Sequence, residues 1–249
     1  MAESLSSPNA DLPAETGAVA IADKGMRWFE LVLVLLVAVG SSTVGSFYIA
    51  RADLPALAHT TNLRWILGTF HELTALLLLF YVLRRRGLGL RALNLRWSLL
   101  DCGSGFLLAV TAIVSYMIGS GIIHWIFELA IGSQGRVHTS AQIFGKGSFG
   151  FVPYFLLSPI FEELIVRAYL MTEITELTGS AVLAAVVSAA VQTSYHLYYG
   201  WSTALSMFFL FLTFAVYFAV WKRALTVIVA HELFDTLGLV HLLRAGVPF

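Results

Sequence analysis

The 249-residue chain contains a single cysteine, Cys102, which excludes an internal disulfide framework and a cysteine-built zinc cluster. Charge is nearly as scarce. Asp, Glu, Lys and Arg make up 12% of the residues, against roughly 25% in soluble domains. Fifteen basic residues balance fifteen acidic ones, so the chain has no basic footprint for a nucleic-acid partner. With 58% hydrophobic residues and a mean hydropathy of +0.82, a water-soluble globular domain is excluded as well.

What is present is a series of long apolar runs. A helix that crosses a bilayer needs about 20 mostly apolar residues. Seven stretches meet that need: residues 28–50, 64–83, 104–127, 151–172, 180–199, 201–221 and 224–243. They predict an all-α, polytopic transmembrane helix bundle of about seven to eight spans, with the lipid bilayer as its first partner. Residues 1–23 are polar and rich in Ser, Ala and Pro, with Glu3, Asp11, Glu15 and Asp23, and read as a disordered tail. Residues 24–249 read as one bundle whose motif-bearing half runs from about 151 to 243. The last four runs are joined by short connectors, which makes them antiparallel neighbours.

Basic residues set the expected orientation. Arg84, Arg85, Arg86, Arg91 and Arg96 follow the second run, and by the positive-inside rule that loop is cytoplasmic. Counting runs from there puts Lys24, Arg27, Lys222 and Arg223 on the same side, the N-terminus inside and the C-terminus outside. Residues 87–97 mix basic and apolar side chains and suggest a short interfacial helix. The polar stretch 132–147 reads as a connector that could serve as a lid. Gly40, Gly45, Gly119 and Gly121 are expected to permit close helix contact. Glu30, His71 and Glu72 are expected to be interior hydrogen-bonding groups.

Ionisable side chains inside a bilayer are costly unless paired, so each marks a functional hypothesis. The fourth run reads Ser158-Pro159-Ile160-Phe161-Glu162-Glu163-Leu164-Ile165-Val166-Arg167. Glu163 and Arg167 are one turn apart and should neutralise each other. Glu162 points about 100° away with no cation at i+4, leaving a carboxylate able to accept a proton. Pro159 weakens the backbone ladder just upstream and can open a wet notch beside it. On the fifth run Gln192 and His196 lie one turn apart, as do His231 and Asp235 on the seventh. If these faces converge, they can activate a water and hold a developing oxyanion.

Glu-Glu-x-x-x-Arg, a histidine one helix later, and His-x-x-x-Asp two helices after that resemble the CPBP family. These are the CAAX-protease and bacteriocin-processing membrane endopeptidases, also called the Abi family. The resemblance covers roughly residues 151–240. It implies that Glu162 and His196 activate the hydrolytic water, that His231 and Asp235 polarise the scissile carbonyl, and that Glu163 and Arg167 have structural or positioning roles. The implied partner is a peptide or membrane-protein substrate, and the short chain with its minimal loops suggests a bacterial inner membrane as the setting. The chain departs from the pattern at Gln192, where the family usually carries Phe. That glutamine could hydrogen-bond the histidine or the water, or mark a weakened site. Asp235 stands where Asn is frequent and should be protonated or orient His231.

Other readings stand beside this one. Glu162, His196 and His231 also make a familiar zinc set, although the metal-free water is favoured and no cofactor is required. His231-Glu232-Leu233-Phe234-Asp235 approaches the His-Glu-x-x-His zinc pattern but lacks its second histidine. A non-catalytic scaffold or peptide-immunity protein of the same family, and a proton-coupled carrier, complete the alternatives. Tyr195, Tyr198 and Tyr199 are read as packing residues. Counting rise from the cytoplasmic helix ends puts Glu162 about 15 Å deep and His196 about 24 Å, a gap the fold must close.

Overall fold

The computed structural model describes residues 16–51, 62–96, 98–132 and 149–244. The polar stretch considered as a lid lies outside these residues, apart from Gly132, as do residues 1–15 of the expected tail. All elements among the described residues are helical. Helix α1 (Thr16–Leu35) begins inside the stretch read as a disordered tail and continues through a π turn (Leu36–Gly40) into α2 (Ser41–Arg51). Next come α3 (Asn62–Arg85), a 3-10 turn (Leu90–Leu93) and the long α4 (Leu100–Ile131). Helix α5 (Phe151–Glu162) passes through a second π turn (Glu163–Tyr169) into α6 (Leu170–Thr178). The chain then forms α7 (Ala181–Tyr195), a 3-10 turn (Leu197–Tyr199), α8 (Trp201–Trp221) and α9 (Ala224–Arg244).

The all-α membrane bundle is as expected, but its span count is not reached by length and composition. Four stretches are long and apolar enough to cross: Lys24–Arg51, Asn62–Arg85, Leu100–Ala130 and Trp201–Trp221. Helix α7 is apolar but short. It stops at Tyr195 because His196 leaves helical geometry (φ −99°, ψ 3°) and Gly200 takes a positive φ of 97°. The α5–α6 stretch is punctuated by Glu162, Glu163, Arg167, Glu173 and Glu176. The expected interfacial helix over residues 87–97 shrinks to the 3-10 turn, bounded by Gly87 (φ 71°) and a left-handed Asn94 (φ 54°).

Large apolar side chains cover the outside of the bundle: Val44, Leu107, Met117 and Val182 are all more than 60% exposed. In water such a surface would aggregate, whereas in lipid it is the solvated face. Inside, α4 lies along α8 and α9, α7 packs on α8 and α6, and α3 packs on α5. A Cβ at Gly105 would stand 2.6 Å from Val229 and 3.1 Å from the Thr226 carbonyl of α9, and one at Gly119 would stand 2.3 Å from Phe209 of α8. Of the four glycines singled out from sequence, Gly119 marks a close helix contact. Gly45 and Gly121 have nothing within 4 Å of an added Cβ, and Gly40 meets only ordinary contact with Leu36.

Ion pairs hold one end of the bundle. Glu30 of α1 accepts from Arg85 and Arg86, Arg86 also donates to Glu173 at 2.8 Å, and Arg27 donates to Glu173 at 3.0 Å. Glu30 is therefore an ion-pair partner of the basic loop, a stronger role than the interior hydrogen bond expected of it. Beside this cluster Arg223 grips Asp101 through two bonds of 2.7 and 2.9 Å, and Thr226 donates to the same carboxylate at 2.6 Å. The Ala224 amide donates to the Asn94 carbonyl at 3.4 Å, so the basic loop and the Lys222–Arg223 connector share an end. Gly105→Ala should lower the melting temperature of the detergent-solubilised protein, at a cost of about 1–3 kcal/mol for overpacking. Gly121→Ala should leave it unchanged or raise it, and thermal unfolding followed by circular dichroism compares the two.

Candidate functional site

Pro159 lies inside α5 and cannot donate the backbone bond that a regular helix places there. One turn later the helix widens into the π turn Glu163–Tyr169, whose exit is capped by a five-residue bond from the Leu170 amide to the Ile165 carbonyl. π turns inside helices recur at functional positions because they re-aim side chains at a local cost in hydrogen bonding. Every residue of this turn is buried, and the two glutamates meet at its start.

Glu163 and Arg167 are fully buried and paired, with Nε 3.4 Å from Oε2. The pair extends well beyond the expected i,i+4 contact. Arg167 donates to the Ser188 hydroxyl at 2.6 Å, to the Phe211 carbonyl at 3.3 Å, and to Gln192 Oε1. Ser188 in turn donates to the Val166 carbonyl at 2.7 Å. The Gln192 amide then bridges both acids, 2.9 Å from Glu162 Oε2 and 3.3 Å from Glu163 Oε1. Gln192 thus uses both ends of its amide, accepting from the guanidinium and donating to the carboxylates. Of the two side-chain roles considered from sequence, the bond to the histidine ring is not among its contacts: the amide meets Arg167 and the two acids.

Glu162 is 9% exposed and faces inward, not to lipid. Besides Gln192 it accepts from the Tyr195 hydroxyl at 2.9 Å and from Ser158 at 3.4 Å. Tyr195 and Ser158 were missed by sequence reasoning. Tyr195 adjoins His196, and Ser158 sits one turn before Glu162, so the signal was adjacency rather than any motif. The contacts of Gln192 and Tyr195 with Glu162 also close the depth gap expected between Glu162 and the end of α7.

His196 caps α7, and its Nδ1 lies 2.8 Å from the Gln192 carbonyl. A carbonyl only accepts, so Nδ1 carries the proton and Nε2 is left as the other ring nitrogen. The ring is wedged against Phe211 at 4.9 Å and Tyr195 at 4.8 Å between centroids. Glu162 and His196 line one cavity of about 450 Å³, together with Ser158, Tyr154, Glu72 and Ser46. Ser46 of α2 donates to the Tyr195 carbonyl at 2.6 Å, and Thr43 meets Ser194 at 3.2 Å, tying the cavity wall to the end of α7.

His231 of α9 is 4% exposed and reaches Glu163 rather than Glu162, with Nδ1 2.9 Å from Oε1. Its Nε2 stands 3.8 Å from Asp235 Oδ1, whose side chain is 30% exposed. The structure therefore joins Glu162, Gln192 and Tyr195 on one side and Glu163, Arg167, His231 and Asp235 on the other, with Gln192 between them. Among the described residues no group of three His, Cys, Asp or Glu side chains stands where it could hold a metal ion. The set considered for zinc, Glu162, His196 and His231, is divided because the His231 Nδ1 contact goes to Glu163. His71 bonds the Ala38 carbonyl at 3.0 Å, at the first π turn, as an interior hydrogen-bonding residue should.

Residues 145–237 match the family model described as type II CAAX prenyl endopeptidase Rce1-like. The matched stretch holds all three motifs, and the family is the CAAX-protease group that their order resembles. That family is one of membrane hydrolases acting on peptide bonds, and with the apolar helices it marks an integral membrane protein. Neither the comparison with curated proteins nor that with solved structures finds a match.

Gln192→Phe, which would restore the residue usual in the family, should destabilise this chain. It removes an acceptor from Arg167 and a donor from both glutamates, all buried, at a cost of about 1–3 kcal/mol for each group left unpaired. A fall in melting temperature exceeding that of Tyr195→Phe, which removes one bond to Glu162, checks this.

Proposed function

We propose that the protein is an intramembrane endopeptidase that hydrolyses a peptide bond with a water activated by Glu162 and His196. The observation that supports this most directly is that both side chains line one cavity of the helix bundle, with Glu162 free of any cation within ion-pair distance among the described residues. A water held between them gives one proton to the Glu162 carboxylate as its oxygen adds to the scissile carbonyl carbon. The resulting oxyanion is stabilised by the His231 imidazole, which Glu163 holds through Nδ1, and Asp235 orients the far side of that ring. Glu162 then returns the proton to the amide nitrogen as the C–N bond breaks, releasing an acid and an amine.

The remaining buried groups keep these parts still. Arg167 neutralises Glu163, and Gln192 fixes the two carboxylates relative to each other. Tyr195 holds Glu162 Oε2, leaving Oε1 to Ser158 and the water. The chemistry proposed here needs no metal, and no cofactor is assigned. The substrate is a peptide or membrane protein, which for the matched family is a prenylated CAAX sequence. The setting is the inner membrane of a bacterial cell, with the N-terminus in the cytoplasm.

Glu162→Gln and His196→Ala should each abolish cleavage of a quenched fluorescent peptide by the purified, still-folded protein. Tyr195→Phe should reduce kcat by roughly tenfold, about the worth of one hydrogen bond to a charged group. Cleavage that survives Glu162→Gln rejects the assigned base. A cellular phenotype that survives both null substitutions favours a scaffold or peptide-immunity role. Loss of cleavage on chelation, restored by zinc, would replace the metal-free water.

A further inference from the structure

The cavity beside Glu162 holds a second acid that this mechanism does not use. Glu72 of α3 is 3% exposed and lines the same cavity as Glu162 and His196. Its Oε2 has no hydrogen-bond partner among the described residues, and the Ser158 hydroxyl lies against its carboxyl. Buried polar atoms are almost always partnered, and a lone acceptor at membrane depth is costly. Glu72 lines the cavity, so a ligand that enters there is placed to supply the missing partner.

A peptide cut inside a bundle must be extended around the scissile bond, because a helical backbone shields its carbonyls. Extension strips the main-chain N–H groups of their helical partners, and no bulk water replaces them at that depth. The need is for an acceptor on the wall facing the catalytic pair. The wall is rigid there: a Cβ at Gly68 of α3 would lie 2.8 Å from the Tyr154 ring, and Trp65 packs 5.1 Å from the same ring. Glu72 is held on this face by the close α3–α5 packing.

We propose that Glu72 is a substrate-binding residue, whose unpartnered carboxyl oxygen accepts a main-chain N–H of the extended peptide next to the scissile bond. The assignment rests on the peptidase reading and names how that site holds its substrate. It makes the cavity selective for peptides with a free N–H at one backbone position, so that a proline or N-methylated residue there is rejected.

The test uses the purified full chain in nanodiscs and two quenched fluorescent peptides, one ending in a prenylated cysteine plus three residues and one without the lipid. Binding is read in the Glu162→Gln background and cleavage in the parent chain, with N-methyl groups placed singly along the peptide. Glu72→Leu should weaken binding and raise KM about tenfold, with kcat within about twofold, while Glu72→Gln, which keeps an acceptor oxygen, stays near the parent. One N-methyl position should weaken binding to Glu72-containing protein about tenfold and have no further effect on Glu72→Leu. The same N-methyl penalty in both proteins, unchanged binding by Glu72→Leu, or no binding of either peptide overturns the proposal. Absence of any sensitive position in the unsubstituted protein does so even if Glu72→Leu fails to fold. Binding that depends on Glu72 without any cleavage would end the peptidase reading and keep Glu72 as a peptide-binding residue with no scissile bond beside it. Cleavage indifferent to Glu72 would do the reverse.

Discussion

The structure depends on one guanidinium. Arg167 is fully buried, and it has an acid, an amide, a hydroxyl and a carbonyl around it from three elements, the π turn, α7 and α8. A cation removed from water costs several kcal/mol, and a shell of several acceptors offsets it. Each partner is itself tied elsewhere: Ser188 to the Val166 carbonyl, Gln192 to Glu162, Glu163 to His231. Removing the cation would therefore leave Glu163 with only His231 and the Gln192 amide, and would free the amide that orients Glu162. The electrostatic anchor and the geometry around Glu162 are one network, so its members are not interchangeable with apolar residues of similar volume.

Placing two adjacent acids where they can do different work requires a break in helical regularity. On a regular helix Glu162 and Glu163 diverge by about 100°. Here the π turn begins at Glu163, so Glu162 stays on the α5 face toward the cavity while Glu163 turns toward α9 and His231. Pro159 and the π turn both forfeit regular backbone bonds, a cost tolerated in the membrane only where neighbouring helices cover the backbone. The burial of all seven turn residues meets that condition. A second π turn, at Leu36–Gly40, borders the same cavity, and its Ala38 carbonyl is taken by His71.

Much of this arrangement was legible in the residue pattern, and the limits of that reading are physical. Composition and run length were enough for an all-α membrane bundle, since few other structures solvate so much apolar surface. The i,i+4 rule found Glu163 with Arg167 and His231 with Asp235 because those relations are internal to one helix. Relations between helices were beyond it. Nothing local distinguishes Ser188 from other small residues of α7, yet it is the hydroxyl that receives Arg167. Tyr195 looked like packing because an aromatic ring at membrane depth usually is, and its hydroxyl partner lies 33 positions away. The span count is not reached by helix length for a related reason: hydropathy registers apolar length, but α7 ends at a histidine and a glycine whose backbone angles stop the helix.

Gln192 shows why a departure from a family pattern need not be a defect. An aromatic residue there would fill space beside the acids, while a glutamine must satisfy three polar valences to be tolerated in a dry interior. Here it satisfies all of them, with Arg167 on its oxygen and the two glutamates on its nitrogen. It also offers its backbone carbonyl to His196 Nδ1, so one residue sets the orientation of both acids and the tautomer of the imidazole. The substitution therefore moves work from packing to hydrogen bonding. It makes the carboxylate that faces the cavity and the histidine that caps α7 respond to the same amide, which couples the two groups expected to share a water more tightly than an apolar neighbour could.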